Sequence, residues 1–393
     1  MTIILMPDHR SSRPIKIVLH VIFLLSGIVT VLIGQVLPIL ARHFSLNDLD
    51  VSYFFPAQFG GSLTGTFLTA RFGKRNDFFT ATLIGTLLMA CGILLMNVDV
   101  FSVCLVGFIV NGVGIGLTLP SINMLIVEMS RERAGPALSI LNFCWGVGAI
   151  ICKPFVDAFS TETSIGWTTY LLAAPLIIAA LPLISMTGGR RASAPESEDT
   201  GPTTPIWSMP IAWLIALFNF IHVGFESGMG GWLTTYTGRV DGSPVLSWVS
   251  PTLLYFSFFV IGRGVAPLLF RFFKENQMLM LGLLIVLAGM VVVMMAPTVI
   301  VLSIGAVVAG FGTSWIFPTN VARFSHTFGP TATRRAMPLF ICGTLGAASS
   351  TWLIGFISNR AGDLRSGMSV LLIGVLILLV LQLSFSFRRT PAT

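Results

Sequence analysis

From Ser366 to Phe387 the chain runs for 22 residues without a charged side chain, and comparable apolar runs recur from end to end. An α-helix needs about 20 mostly apolar residues to cross the hydrocarbon of a bilayer, so each run is long enough to span one. Of the 393 residues, 54% are hydrophobic and only 10% charged, where a soluble domain carries about 25%. No soluble core could hide so much apolar surface behind so few charges, so the solvent is lipid. The runs predict about twelve spans, near 17–41, 50–72, 77–97, 101–129, 134–158, 166–186, 208–238, 245–272, 277–296, 298–322, 335–358 and 366–387. They are continuous, unlike the short alternating segments of a lipid-facing barrel. The expected fold class is an all-α membrane protein.

Arg10, Arg13 and Lys16 precede the first run, as in a signal peptide. The run is too long for a cleaved segment and lacks a small-residue cleavage site, which predicts an uncleaved first helix. Cys91, Cys104, Cys144, Cys152 and Cys342 fall within predicted spans at unpaired spacings. Buried inert thiols are expected there, with no disulfide, no metal and no cofactor. Cations set the orientation. With the N-terminus inside, the inner loops and tail hold Arg71, Lys74, Arg75, Arg131, Arg133, Arg190, Arg191, Arg271, Lys274, Arg323, Arg334, Arg335, Arg388 and Arg389. The outer side holds only Arg42, Arg239, Arg360 and Arg365. Both termini are therefore expected in the cytoplasm, in a cell (inner) membrane. The net charge of +7 reports topology and calls for no nucleic acid.

One long polar stretch interrupts the pattern: GGRRASAPESEDTGPTTP, Gly188 to Pro205. Its Pro, Ser, Thr and charge read as a flexible linker. The expected organisation is a bundle of six helices over 1–187, a linker over 188–207, and a second bundle over 208–393. The halves match each other. GVGIGLTLPS (Gly112–Ser121) lies over GFGTSWIFPT (Gly310–Thr319), with Gly112/Gly310, Gly114/Gly312 and Pro120/Pro318 in register. The same offset lays Gly148-Ala149 over Gly346-Ala347, and a slightly different one lays RFGKR (Arg71–Arg75) over RFFKE (Arg271–Glu275). An even number of spans separates the copies, which makes the repeat parallel, about an axis along the membrane normal.

Six plus six helices, a central linker and a basic loop after the second span resemble the major facilitator superfamily. Its loop signature GxLaDRxGRK is similar to TFLTARFGKR (Thr66–Arg75): Leu68, Arg71, Gly73, Lys74 and Arg75 fit, while Thr66 and Ala70 depart from the glycine and aspartate. A narrower resemblance is to the fucose–proton symporter-like (glucose/galactose) sugar porters, carried by GIGLTLPSIN, NFCWGVGA, VGFESGMGGW, Gly262-Arg263, GFGTSWIFPT and GTLGAASSTWLIGFIS. This resemblance implies two pseudo-symmetric bundles and monosaccharide transport, often coupled to a proton held by acids in the first and fourth helices. Here those helices carry Gln35 and Asn111 in place of a carboxylate.

Several constellations bear on function. Gly112, Gly114, Gly116, Gly146, Gly148, Gly310, Gly312, Gly343 and Gly346 let helix backbones approach in lipid, beside Pro120 and Pro318, which can kink them. Asn219, His222 and Glu226 are three and four apart, so they share one helix face. A charge at mid-bilayer costs about 2.5–3.5 kcal/mol on insertion scales, so that face should turn inward. It reads as a hydrogen-bonded knot, with Arg263 as a partner, or as a substrate-binding face in which Glu226 and His222 also carry a proton. Gly228, Gly230 and Gly231 predict a bend or unwound turn, with Trp232 in an outer gate. Gln35, Gln58, Asn142, Trp145, Ser314 and Trp315 lie at similar predicted depths, the mixture of amides and aromatic plates that a sugar pocket uses. Lys153 and Asp157 are four apart and could pair, structurally or as a gate.

The leading expectation is a secondary transporter, not an enzyme. It would move a small sugar-like solute by alternating access as a monomer in the lipid bilayer, coupled to a proton or facilitative. An exporter of amphipathic drugs or lipid-like compounds is the alternative, and a non-transporting sensor the third class.

Overall fold

The computed structural model describes residues 13–73, 75, 77–130, 134–185, 206–240, 250–329 and 336–387. Lys74, Arg131, Arg133, Arg190, Arg191, Arg334, Arg335, Arg388, Arg389 and nearly all of the linker lie outside these. Every regular element among the described residues is helical. The first half contains α1 (Arg13–His43), a short α2 (Asp48–Ser52), α3 (Phe54–Gly73), α4 (Phe78–Leu95), α5 (Phe101–Met129), α6 (Ala134–Phe159) and α7 (Gly166–Ile184). The second contains α8 (Pro210–Val240), α9 (Pro251–Leu269), α10 (Glu275–Met295), α11 (Val299–Thr313), α12 (Ile316–Phe328), α13 (Met337–Ala361) and α14 (Leu364–Phe387). Eleven of the spans are long and apolar enough to cross a membrane. α3 has the length, 20 residues, but Gln58, Ser62, Thr64, Thr66, Thr69 and Arg71 dilute its apolar character.

The chain packs as two units. Unit 1 comprises 1–32, 60–155 and 165–196; unit 2 comprises 33–59, 156–164 and 197–393. The C-terminal end of α1, all of α2 and the start of α3 thus associate with the second half of the chain. In unit 1, Leu19, Ile22, Phe23, Phe79, Ile122, Leu125, Ile126, Leu141 and Leu183 form a buried core contributed by α1, α4, α5, α6 and α7. Lys16 Nζ donates to the carbonyl of Met129 at 2.8 Å and to Ser130 Oγ at 3.0 Å. A cation thereby closes the C-terminal end of α5, where unpaired carbonyls concentrate negative charge.

The glycine seams are real packing surfaces. A Cβ on Gly148 would strike the Leu24 carbonyl, and one on Gly346 the Phe220 carbonyl. The seventh span departs from expectation: α8 is one uninterrupted helix of 31 residues, with no unwound turn at Gly228–Gly231. Those glycines instead admit Leu371 and Ile354, Phe256, and Phe55. A glycine lowers helix preference but keeps its N–H, so the ladder survives where neighbours pack against it. The interruption lies in the tenth span, between α11 and α12. Pro318 lacks the N–H that would bond the Ser314 carbonyl four residues back, and its ring crowds that oxygen. The backbone responds by tightening, with Ser314 N bonded to the Phe311 carbonyl at 3.3 Å.

Charge counting misplaced Arg323. It belongs to α12 and is only 7% exposed. The expectation of buried thiols also needs correction at Cys91, which is exposed; none of the five cysteines forms a disulfide.

Candidate functional site

α8 brings Asn219, His222 and Glu226 to one face, as the spacing requires. Asn219 and His222 are sealed, at 0% and 1% exposure, whereas the Glu226 side chain is 23% exposed. Asn219 Nδ2 donates to the Leu339 carbonyl at 2.9 Å, which ties α8 to α13. Its Oδ1 has no partner among the described residues. His222 Nε2 stands 3.8 Å from Glu226 Oε2, too far for a hydrogen bond. Of the three, only Glu226 is partly exposed.

α9 supplies what the sequence reading underweighted. Tyr255, Phe259 and Arg263 are four apart and share one face of that helix. The rings of Tyr255 and Phe259 stack with centroids 6.3 Å apart, and the Arg263 guanidinium lies 4.2 Å from the Phe259 centroid. Tyr255 is wholly buried, and its hydroxyl faces Thr313. Neighbouring Thr313 spends its own donor on the Ala309 carbonyl at 2.7 Å. Arg263 is within electrostatic reach of Glu226 and Tyr255. Among the described residues it forms no ion pair, and its Nε has no acceptor. The signal for Tyr255 was present in the sequence: a lone phenol two turns before an intramembrane arginine.

A second polar assembly occupies the far end of unit 2. Arg239 grips Asp48 through two parallel bonds, Nη1 to Oδ2 at 2.7 Å and Nη2 to Oδ1 at 2.5 Å. Ser358 on α13 donates to the same carboxylate. Burial opposes ionisation of Asp48, but the bonds from Arg239 and Ser358 and the Arg239 charge outweigh it and hold the carboxyl below its ordinary range. Next to this knot, Gln35 Oε1 accepts from Thr234 Oγ1 at 2.7 Å. Thr252 must then donate to Thr234, at 2.9 Å. Trp232 Nε1 donates to the Thr351 carbonyl at 2.9 Å, and its ring lies 5.8 Å from that of Phe55. Gly34 lets α1 approach α8: a Cβ there would meet the Gly230 carbonyl.

Other expected site residues are placed differently. Trp315 is wholly buried and donates to the Met278 carbonyl at 2.9 Å, so its indole is committed to α10. Trp145 packs beside the core of unit 1. Asn142 is exposed and its amide turns back to the Leu138 carbonyl at 2.8 Å. Gln58 is buried at 2% exposure. Lys153 is half-buried, while Asp157, Arg71 and Arg75 are exposed. Asn111 is fully buried with neither amide atom bonded.

A family model for the Major Facilitator Superfamily matches residues 19–340. The 4-hydroxybenzoate transporter PcaK of Acinetobacter baylyi is 24% identical over 264 residues, 62% of this chain and 55% of that protein. The chain thus spans little more than half the length of that relative. The glucose/mannose transporter GlcP of Bacillus subtilis is 21% identical over 392 residues, 94% of each. Among solved structures, a bacterial homolog of the human lysosomal transporter Spinster superposes with a TM-score of 0.81 at 15% identity, covering 98% of this chain and 100% of that one. That last likeness is one of fold.

Proposed function

Since the chain belongs to the Major Facilitator Superfamily, and is therefore a multi-pass membrane transporter and not an enzyme, we propose that it moves a monosaccharide-class solute by alternating access. The moving bodies are the two six-helix halves, 1–187 and 208–393, with the linker 188–207 and both termini cytoplasmic. The observation that carries this reading is the polar face of α8 and α9, where Glu226 and Arg263 are partly exposed and the Arg263 Nε has no acceptor inside a membrane helix bundle. Apolar packing alone gives no reason to retain such groups, since each unsatisfied one costs about 1–3 kcal/mol. The similarity to GlcP, named as a glucose/mannose transporter, supports the sugar class. Glu226, beside His222, is the proton carrier, being the partly exposed acid of that face.

The Asp48–Arg239–Ser358 bonds and the Phe55–Trp232 contact support reading the end opposite the termini as the gate.

Purified protein in liposomes should take up neutral or acidic monosaccharides, and an inward proton gradient should accelerate uptake by about tenfold or more, as expected for an obligatory intramembrane acid. Glu226→Gln should abolish that acceleration. Dye efflux with no monosaccharide uptake would sink the reading.

A further inference from the structure

Among the described residues of unit 2, Arg263 and Arg323 stand more than a turn from either end of their helices, and they are treated differently. Arg323 donates to Gln382 Oε1 at 2.8 Å and to Asn320 Oδ1 at 2.5 Å. Its guanidinium is also covered by Phe218 and Phe385, at 4.7 and 4.2 Å from the ring centroids. A buried cation held by acceptors and rings on three helices is a structural tie. Arg263 has one ring beneath it, no acceptor, and no carboxylate in ion-pair contact among the described residues. Its side chain is partly exposed, so the unspent donors have somewhere to point. A guanidinium removed from bulk water without an anion is unfavourable by several kcal/mol. The Nε of each arginine is unpaired, but the fold gives Arg323 two side-chain acceptors and a second ring and gives Arg263 neither.

Building on the monosaccharide reading, we infer that Arg263 is an anion receptor, so that the preferred solute is a hydroxylated monocarboxylate, a sugar acid. The guanidinium fork matches a carboxylate with two parallel bonds. The partly exposed Glu226 carboxyl is then available to the solute's hydroxyls.

Charge balance makes the site a symport site. Empty, it holds Arg263 as a cation and Glu226 as an anion. A second carboxylate entering beside Glu226 would place two anions against one cation, which is relieved when Glu226 takes up one proton. One proton and one anion enter together, the charge of the site is unchanged, and no net charge crosses the membrane. The groups facing Glu226 are few. α8 presents His222, and α9 presents Tyr255 and Arg263. α13 brings Ser350 and Ile354, and α14 brings Leu371, to the neighbouring glycines of α8. Of these, only His222, Tyr255 and Arg263 share the proton question with Glu226.

Binding of D-glucuronate, D-glucose and benzoate to the full-length purified protein, read by calorimetry, tests this. D-Glucuronate should bind about tenfold or more tighter than D-glucose, the gain of a charge-assisted pair. Its affinity should rise by up to about tenfold per unit as pH falls from about 7.5 to about 5.5, the limit for one coupled proton. R263Q should lose the preference for D-glucuronate over D-glucose, and R263K should retain part of it. E226Q should bind D-glucuronate without pH dependence, which keeps the test open if R263Q fails to fold. Uptake should not respond to an imposed membrane potential. Equal affinity for D-glucose and D-glucuronate in wild type and R263Q overturns the receptor and leaves the monosaccharide reading standing. Benzoate binding lost in R263Q, with neither sugar bound, supports the receptor and removes the monosaccharide reading. If none of the three binds, both fall.

Discussion

The fourth and tenth spans carry the same sequence element, yet one is a continuous helix and the other is broken. Pro120 and Pro318 both remove a helical N–H, freeing the carbonyls of Gly116 and Ser314 respectively. In unit 1 the freed Gly116 carbonyl accepts a bond from Thr69 Oγ1 at 3.0 Å, and α5 runs on through 29 residues. The register that lays Arg71 on Arg271 lays Thr69 on Leu269, which has no hydroxyl to give. In unit 2 the helix stops at Thr313 and restarts at Ile316. The same register lays Leu63 on Arg263, so the half with the broken span is also the half with the cation that lacks a side-chain acceptor. A proline makes a break only where no neighbour takes over the carbonyl it orphans, and here the duplication has diverged into a rigid member and an adaptable one.

The largest expected effect probes the seam beside these prolines. A methyl on Gly116 would strike the backbone carbonyl of Ser62, whereas one on Gly262, the partner of Ser314, would strike the Ser314 side chain first. Backbone cannot swing aside and a hydroxyl can. Gly116→Ala should therefore destabilise by about 3 kcal/mol, the upper end for overpacking, and Gly262→Ala by about 1 kcal/mol. Thermal unfolding followed by size-exclusion chromatography measures both, and equal losses would remove the rigid/adaptable distinction.

Much of this was legible without coordinates. Apolar runs without charge, such as 366–387, fix span number and class because lipid offers the backbone no other partner. The register between the halves located both prolines. The choice between bend and seam was not legible, because it depends on which side chains from elsewhere fill the space at Gly228–Gly231 and which hydroxyl reaches Gly116. Arg323 was read as a loop cation because its covering rings, Phe218 and Phe385, lie over 60 residues away in sequence on either side. The face of Asn219, His222 and Glu226 was correctly located on one helix by spacing alone, but its neighbour Arg263 acquires meaning only from the acceptors it lacks. Trp315 illustrates the reverse: an aromatic at a plausible depth whose N–H is taken by α10.

The next effect is smaller and depends on pH. One end of unit 2 is tied by Asp48, whose carboxyl sits below its ordinary range. A carboxyl with a lowered folded value contributes stability that is complete above the unfolded value of about 3.9 and is lost as pH falls through the folded value. Asp48→Asn should thus destabilise by about 1 kcal/mol at neutral pH, a modest figure because Arg239 is 44% exposed and water screens the pair. The gap between variant and parent should close in strong acid. An undiminished gap below about pH 3 would assign the loss to packing of α2 and not to the ion pair. If the knot is the gate, the variant should also speed exchange of bound solute, since opening that end then begins from a weaker tie.

The smallest effect goes to the origin of the contrast. Thr69→Val removes the hydroxyl that serves Gly116 and keeps the side chain's shape, making position 69 resemble Leu269 in its inability to donate. An interhelical hydrogen bond in a membrane is worth about 0.6 kcal/mol on average, so overall stability should fall by about that much. The informative signal is local. The Gly116 carbonyl, orphaned by Pro120, would have no side-chain donor left except through rearrangement, and the 115–120 segment should open as 313–316 does. Hydrogen exchange at the amides of Leu117, Leu119 and Ser121 should quicken, while the amides on either side of Trp315 keep their rates. Unchanged protection across Leu117–Ser121 would mean that Pro120 is absorbed by the helix itself, and that the break in the tenth span has a cause other than the missing hydroxyl at Leu269.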